Sequence, residues 1–215
     1  MKAFFKNNFL FLFPYFIFLL AGAVLIALNS KAEKHLEFNT FHTSFFDTFF
    51  YYFTFLGDGV IAVLVVILLL TIKYRYALIV GVSNVISALI TQFLKHYVFD
   101  DIVRPKKFFE GVHDLYFVPG VDNYLYNSFP SGHSTCAFSL YFALSLIVKN
   151  TTLKLVFFVI ALLVGYSRIY LSQHFFEDVY AGSFIGVSIT ALMYYFINKM
   201  NNQRLEQSLI TSFKN

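Results

Sequence analysis

The sequence predicts an all-α fold, a bundle of six membrane-spanning helices with an interfacial helix before the second span. Three observations lead there. Only 13% of the 215 residues are charged and 58% are hydrophobic, whereas soluble domains carry about 25% charged residues. Apolar runs recur along the whole chain at the length of roughly 20 residues that crosses a hydrocarbon core of about 30 Å. Residues 95–133 form the single long polar interruption and hold three of the four prolines, Pro105, Pro119 and Pro130. Residues 1–215 are expected to form one domain.

The first span is expected over Phe9–Leu28, after Lys2 and Lys6. Ala21-Gly22-Ala23 resembles a cleavage site but lies inside the apolar run, so an uncleaved span is expected. The stretch from Phe38 to Leu56 is aromatic, with His42, Asp47 and few aliphatic residues. That composition suits a helix lying along the membrane surface. Gly57-Asp58-Gly59 breaks it, and Val60–Ile72 is the heart of span two. Lys73-Tyr74-Arg75 makes a turn into span three, Tyr76–Leu94. Span four is expected over Ser134–Val148, span five over Leu155–Leu171 and span six over Val179–Ile197.

Six spans put both termini on one side. With that side cytoplasmic, it holds Lys2, Lys6, Lys73, Arg75, Lys149, Lys154, Lys199, Arg204 and Lys214 against the single acid Glu206. The excess of Lys and Arg follows the positive-inside rule. The net charge of +4 is small, and nucleic-acid binding is not expected. The lone Cys136 excludes an intramolecular disulfide and a multi-cysteine metal site; a packing role is expected for it.

Three polar clusters return to the outer side. The first holds Lys95 and Arg104-Pro105. The second is Pro130-Ser131-Gly132-His133-Ser134, at the start of span four. The third runs from Ser167-Arg168 through His174 to Asp178, between spans five and six. In the second, a helix N-terminus with Ser131 and a close-approaching Gly132 binds anions, and His133 stands ready to donate a proton. A plain helix cap explains the same residues. In the third, His174 and Asp178 are four apart, so on a helix they share a face. The carboxylate then holds one imidazole N–H and frees the other nitrogen to attack; a simple polar pair is the alternative. The Arg168 guanidinium suits a phosphate, or snorkels to the interface. His133, His174 and Asp178 could also ligate a metal, but Lys95, Arg104 and Arg168 on the same face favour an anion.

Together the clusters resemble the type 2 phosphatidic acid phosphatase (PAP2) superfamily, whose phosphate site is shared with the vanadium haloperoxidases. That family's second motif, Pro-Ser-Gly-His, is complete at Pro130–His133. Its third, Ser-Arg, five residues, His, three residues, Asp, is complete from Ser167 to Asp178. The first motif departs: the expected lysine position is Tyr97, and the nearest upstream lysine is Lys95. Two residues turn a helical side chain by about 200°. Lys95 therefore serves only if the helix bulges or unwinds before Arg104; Lys106 and Lys107 are the alternatives.

The resemblance implies a membrane lipid phosphatase with a PAP2/haloperoxidase-like core and no cofactor or metal. It implies that His174 attacks phosphorus to form a phosphohistidine, that Asp178 orients His174, and that His133 protonates the leaving oxygen. Lys95, Arg104, Arg168, Ser131 and the Gly132 N–H would hold the phosphate. The expected substrate is a lipid phosphate, such as undecaprenyl diphosphate, phosphatidic acid, phosphatidylglycerol phosphate or a lipid A phosphate. The expected location is the plasma (inner) membrane, with the site facing the periplasm or exterior. A phosphotransferase with a second lipid or sugar as acceptor uses the same motifs. A non-catalytic lipid-binding or transport protein is the rival of another class.

Overall fold

A computed structural model of the protein describes residues 2–212 and contains helices and connecting segments, with no strand among the described residues. Lys214, counted above among the cytoplasmic charges, lies outside the described residues.

Eight helices organise the fold: α1 (Phe9–Leu28), α2 (Lys31–Phe38), α3 (Ser44–Phe53), α4 (Gly59–Ile72), α5 (Tyr74–Phe93), α6 (Gly132–Ile147), α7 (Thr151–Tyr170) and α8 (Phe176–Lys199). Four of them, α1, α7, α8 and α5 with its extension to Val98, are long and apolar enough to cross a membrane. The segment Ser44–Gly57 and α4 pass that test together, but they are bent by 53°. Helix α6, with 16 residues, falls short of the roughly 20 that cross unaided. The stretch expected as one surface helix over 38–56 is divided instead. α2 ends at Phe38, a turn follows, and Thr43 caps α3 by accepting from the Phe46 N–H. Ser30 opens α2 with a reciprocal capping box to Glu33.

Burial grades the helices. α6 buries 11 of its 16 residues, whereas α1 buries three of 20. Phe16, Val63 and Leu89 are among the many large apolar side chains left more than half exposed. An apolar perimeter around a sparsely charged centre is the arrangement a lipid solvent favours. α8 crosses α6 closely because of two glycines. A Cβ on Gly182 would lie 2.6 Å from the Ser131 carbonyl oxygen, and one on Gly186 would lie 2.5 Å from that of Thr135. A hydroxyl pair completes this contact, Ser139 with Thr190 at 2.9 Å, while Thr91 of α5 donates to Thr135 of α6 at 3.1 Å.

At the end where α5 and α8 are joined to the tail, Arg75 donates to Glu206 and to the carbonyls of Ile197 and Met200. Lys154, buried, donates to Asn8 Oδ1 and the Ser145 carbonyl, both at 2.7 Å. The polar clusters all lie at the opposite end. There the long segment folds back on itself: the Arg104 N–H donates to the Leu125 carbonyl and the Ser128 N–H to that of Ile102.

Candidate active site

Two helix starts and one turn build the site. Ser131 caps α6, its hydroxyl accepting from the Ser134 N–H at 3.4 Å and the Ser134 hydroxyl at 2.9 Å. Gly132 and His133 follow in the first turn, where backbone N–H groups lack intrahelical acceptors. A Cβ on Gly132 would meet nothing within 4 Å, so space lies beside it. The Ser131 N–H donates to the Asp178 carbonyl at 2.9 Å, which fixes the start of α6 against the start of α8.

His174 lies in the turn between α7 and α8, not on a shared helix face with Asp178. The Arg168 carbonyl accepts from both the Gln173 and His174 N–H groups, at 3.0 and 3.1 Å. Asp178, in the first turn of α8, reaches back: Oδ2 accepts from Phe175 N–H at 2.9 Å and stands 3.2 Å from His174 Nδ1. Ser128 Oγ donates to the same oxygen at 2.5 Å. His174 and Asp178 are 2% and 1% exposed, so this pairing is shielded from water. Burial first, and then the cations Arg104, Lys95 and Arg168, hold the His174 pKa well below the ordinary imidazole value. A neutral ring whose Nδ1–H points at the carboxylate has its Nε2 lone pair free.

The cations converge by different routes. α5 widens into a π-helical turn over Leu94–Val98, closed by the Phe99 N–H on the Leu94 carbonyl. This is the break that placing Lys95 requires, and π turns of this kind frequently mark functional sites. Lys95 Nζ donates to the Asn127 carbonyl at 2.8 Å, and Arg104 Nη2 approaches the same oxygen at 3.5 Å. Arg104 also donates to the carbonyls of Tyr126 and Gln173, at 2.9 and 3.1 Å. Arg168, 5% exposed, donates from Nη1 to Thr54 Oγ1 at 2.6 Å and leaves Nε without a partner. The alternatives for the first-motif lysine point elsewhere, Lys107 to Glu110 and Lys106 over the Phe117 ring.

The sequence did not single out Ser128, Asn127, Thr54 or the residues that brace the His174 turn. Ser172, at positive φ (52°), is buried two residues before His174. Its hydroxyl accepts from Asn39 Nδ2 at 3.0 Å and lies 3.3 Å from His35 Nε2. Asn39 also exchanges hydrogen bonds with the main chain of Tyr116. Lys34 pairs with Glu177 at 2.9 Å and Lys31 lies 3.8 Å over the Phe175 ring. Helix α2 thus grips the turn on both sides of His174. No local pattern points to these partners, which are more than 100 residues away in sequence.

His133 lines two openings. One, of about 240 Å³, includes Tyr51, Thr54, Asp122, Tyr124, Arg168 and Gln173. The other, of about 770 Å³, is an apolar cleft between α4 and α5 that ends at Gly132 and His133. Cys136 lines this cleft and lies 3.4 Å from Asn84 Oδ1, so it meets a polar group rather than only packing. Among the described residues, no group of three His, Cys, Asp or Glu side chains stands in a metal-ligating arrangement.

The model of the PAP2 superfamily matches residues 76–202. Among solved structures, the chain is similar to LpxE of Aquifex aeolicus, at 26% identity and a TM-score of 0.68, over 76% of this chain and 94% of that one. It also shares the fold of a transmembrane PAP2-type phosphatidylglycerolphosphate phosphatase from Bacillus subtilis, at 24% identity and a TM-score of 0.67, over 93% of this chain and 100% of that one.

Proposed function

This chain belongs to the PAP2 superfamily, and from that premise we propose that it is an integral membrane phosphatase that hydrolyses a lipid phosphate through a phosphohistidine on His174. The observation that carries the reading is the position of His133. His133 lines both the opening that holds Arg168 and the apolar cleft between α4 and α5. A phosphate held by the cations while its tail descends the cleft puts its ester oxygen beside His133.

Catalysis of phosphoryl transfer is positioning plus charge stabilisation. Lys95, Arg104 and Arg168 take up the charge of the phosphoryl oxygens, with the N–H groups at the start of α6. Nε2 of His174 attacks phosphorus as the bond to the lipid oxygen breaks, and His133, which takes up a proton as the negatively charged phosphate binds beside it, gives that oxygen its proton. Asp178 holds Nδ1–H and stabilises the positive charge that forms on the ring. A water then attacks phosphorus, passes a proton to His133 and releases inorganic phosphate with His174 restored.

The same reading makes α1, α4, α5, α6, α7 and α8 six crossings, with both termini cytoplasmic and the site facing outward. The basic residues Lys73, Arg75 and Lys154 at the far end support that orientation. Phosphate release from a panel of purified lipid phosphates in detergent, with EDTA present, tests the function. Release by the wild type that is lost in His174→Ala supports it. Release that the variant retains, or none from any lipid, contradicts it.

A further inference from the structure

We infer that Asp58 gives this site a preference for lipid phosphomonoesters over lipid diphosphates; the inference rests on the lipid-phosphatase reading above and names its substrate class. The charges of the site are divided. The cations Lys95, Arg104 and Arg168 gather at the phosphate end. Among the described residues Asp58 is the only carboxylate lining the apolar cleft; Asn84, Thr91, Gln92 and Cys136 carry no fixed charge, and His133 is charged only while it holds the proton it donates. Along α5 the cleft lining runs from Gly81 to Gln92, roughly 16 Å at 1.5 Å per residue. Asp58 stands at the same end as Gly132 and His133, where α4 begins. The cleft below it is walled by Val63, Val66, Ile67 and Val85.

The Asp58 carboxylate is built in. Oδ1 accepts from the Val60 N–H at 3.1 Å as the cap of α4, and its own N–H donates to the Phe55 carbonyl at 2.9 Å. It makes no ion pair among the described residues, although its charge is felt at Arg168. A fixed, unpaired anion therefore faces the side on which the leaving group must lie.

The two substrate classes differ at that place. With a monoester, the lipid oxygen leaves, takes the proton of His133 and becomes a neutral alcohol. With a diphosphate, attack at the terminal phosphorus breaks its bond to the bridging oxygen, and that oxygen leaves as part of a lipid monophosphate. The second phosphate then sits at the head of the cleft beside Asp58, and once His133 has given up its proton no cation in the cleft lining offsets it. Repulsion between like charges a few ångströms apart at a partly dry site is enough for about a tenfold discrimination.

The test compares farnesyl phosphate with farnesyl diphosphate, which have the same tail, in detergent micelles. The quantity read is the ratio of kcat/KM, diphosphate over monophosphate. Asp58→Asn and Asp58→Ser remove the charge but keep residues that cap helices well, and Asp58→Glu keeps the charge. The wild type is expected to favour the monophosphate. The ratio is expected to rise about tenfold in the two neutral variants and to stay within about twofold in Asp58→Glu. A ratio unchanged in both neutral variants, or a wild type that favours the diphosphate, overturns the inference while leaving the lipid-phosphatase reading intact. If the wild type turns over neither farnesyl substrate nor any other lipid phosphate, that reading fails and takes the inference with it.

Discussion

The main-chain N–H of Ser131 donates to the main-chain carbonyl of Asp178 at 2.9 Å. One hydrogen bond thus joins the turn that carries His133 to the helix that carries the carboxylate partner of His174. Gly182, one turn further along α8, faces the Ser131 carbonyl so closely that a Cβ would lie 2.6 Å away. Gly182→Ala is expected to push the two helix starts apart. It should lose more than about 1 kcal/mol of stability and most activity together, as read by thermal unfolding in detergent and by phosphate release. Wild-type behaviour on both counts would show that the close crossing is dispensable.

Asp178 Oδ2 serves three donors: His174, Phe175 N–H and Ser128 Oγ. Asp178→Asn keeps the shape but loses the charge and invites the wrong imidazole tautomer. A fall of about 10⁴-fold in kcat is expected, in line with carboxylate–histidine pairs elsewhere. Ser128→Ala removes only the oxygen's auxiliary donor and should cost about tenfold. Equal losses in the two variants would mean that Asp178 acts as a structural cap rather than through His174.

Lys95 and Arg104 meet at the Asn127 carbonyl. Because they share a partner and a ligand, their substitutions should not add. Lys95→Gln and Arg104→Gln are each expected to lower kcat/KM by about 10²-fold, and the double variant by clearly less than the product. Full additivity in that double-mutant cycle would show that the two side chains act independently.

His35 is 1% exposed and lies 3.3 Å from the Ser172 hydroxyl. Burial, helped by the nearby Lys31 charge, pushes its pKa down to about 4. The folded protein therefore binds this proton less readily than the unfolded chain. The stability this contributes is present above the ordinary imidazole value of about 6.5 and is lost as the pH falls toward 4, by about 2 kcal/mol at pH 5. Melting temperature in detergent should drop from pH 7 to pH 5, and less steeply in His35→Gln. Parallel pH profiles for the two proteins would assign the acid sensitivity to other groups.

Much of this was legible in the sequence, because it depends on local order. Pro130–His133 and Ser167–Asp178 announce themselves by spacing, and apolar runs locate the long helices. Even the displaced Lys95 could be read as a demand for a bulge, and the π turn over Leu94–Val98 meets it. What stayed hidden depends on distant parts of the chain meeting. Asn39 and Ser172 are 133 residues apart, and Thr54 and Arg168 are 114 apart; none of these four has a local pattern that points to its partner. The division of residues 38–56 was missed for another reason. Its aromatic content is continuous, and the Thr43 cap that starts α3 is an ordinary polar residue in such a run. His174 and Asp178 do meet, but through a turn that precedes the helix rather than a shared helix face.

The most direct test of the central claim is to trap the covalent intermediate. Wild-type protein mixed briefly with a ³²P-labelled lipid phosphate, then quenched in alkali and digested, should yield an acid-labile label on the peptide containing His174. The label should be absent from His174→Ala, and it should accumulate in His133→Ala when the lipid has a good leaving group, because that variant lacks the base for water attack. A wild type that releases phosphate at full rate with no label on His174 at any time, or with label on another residue, would contradict the phosphohistidine route.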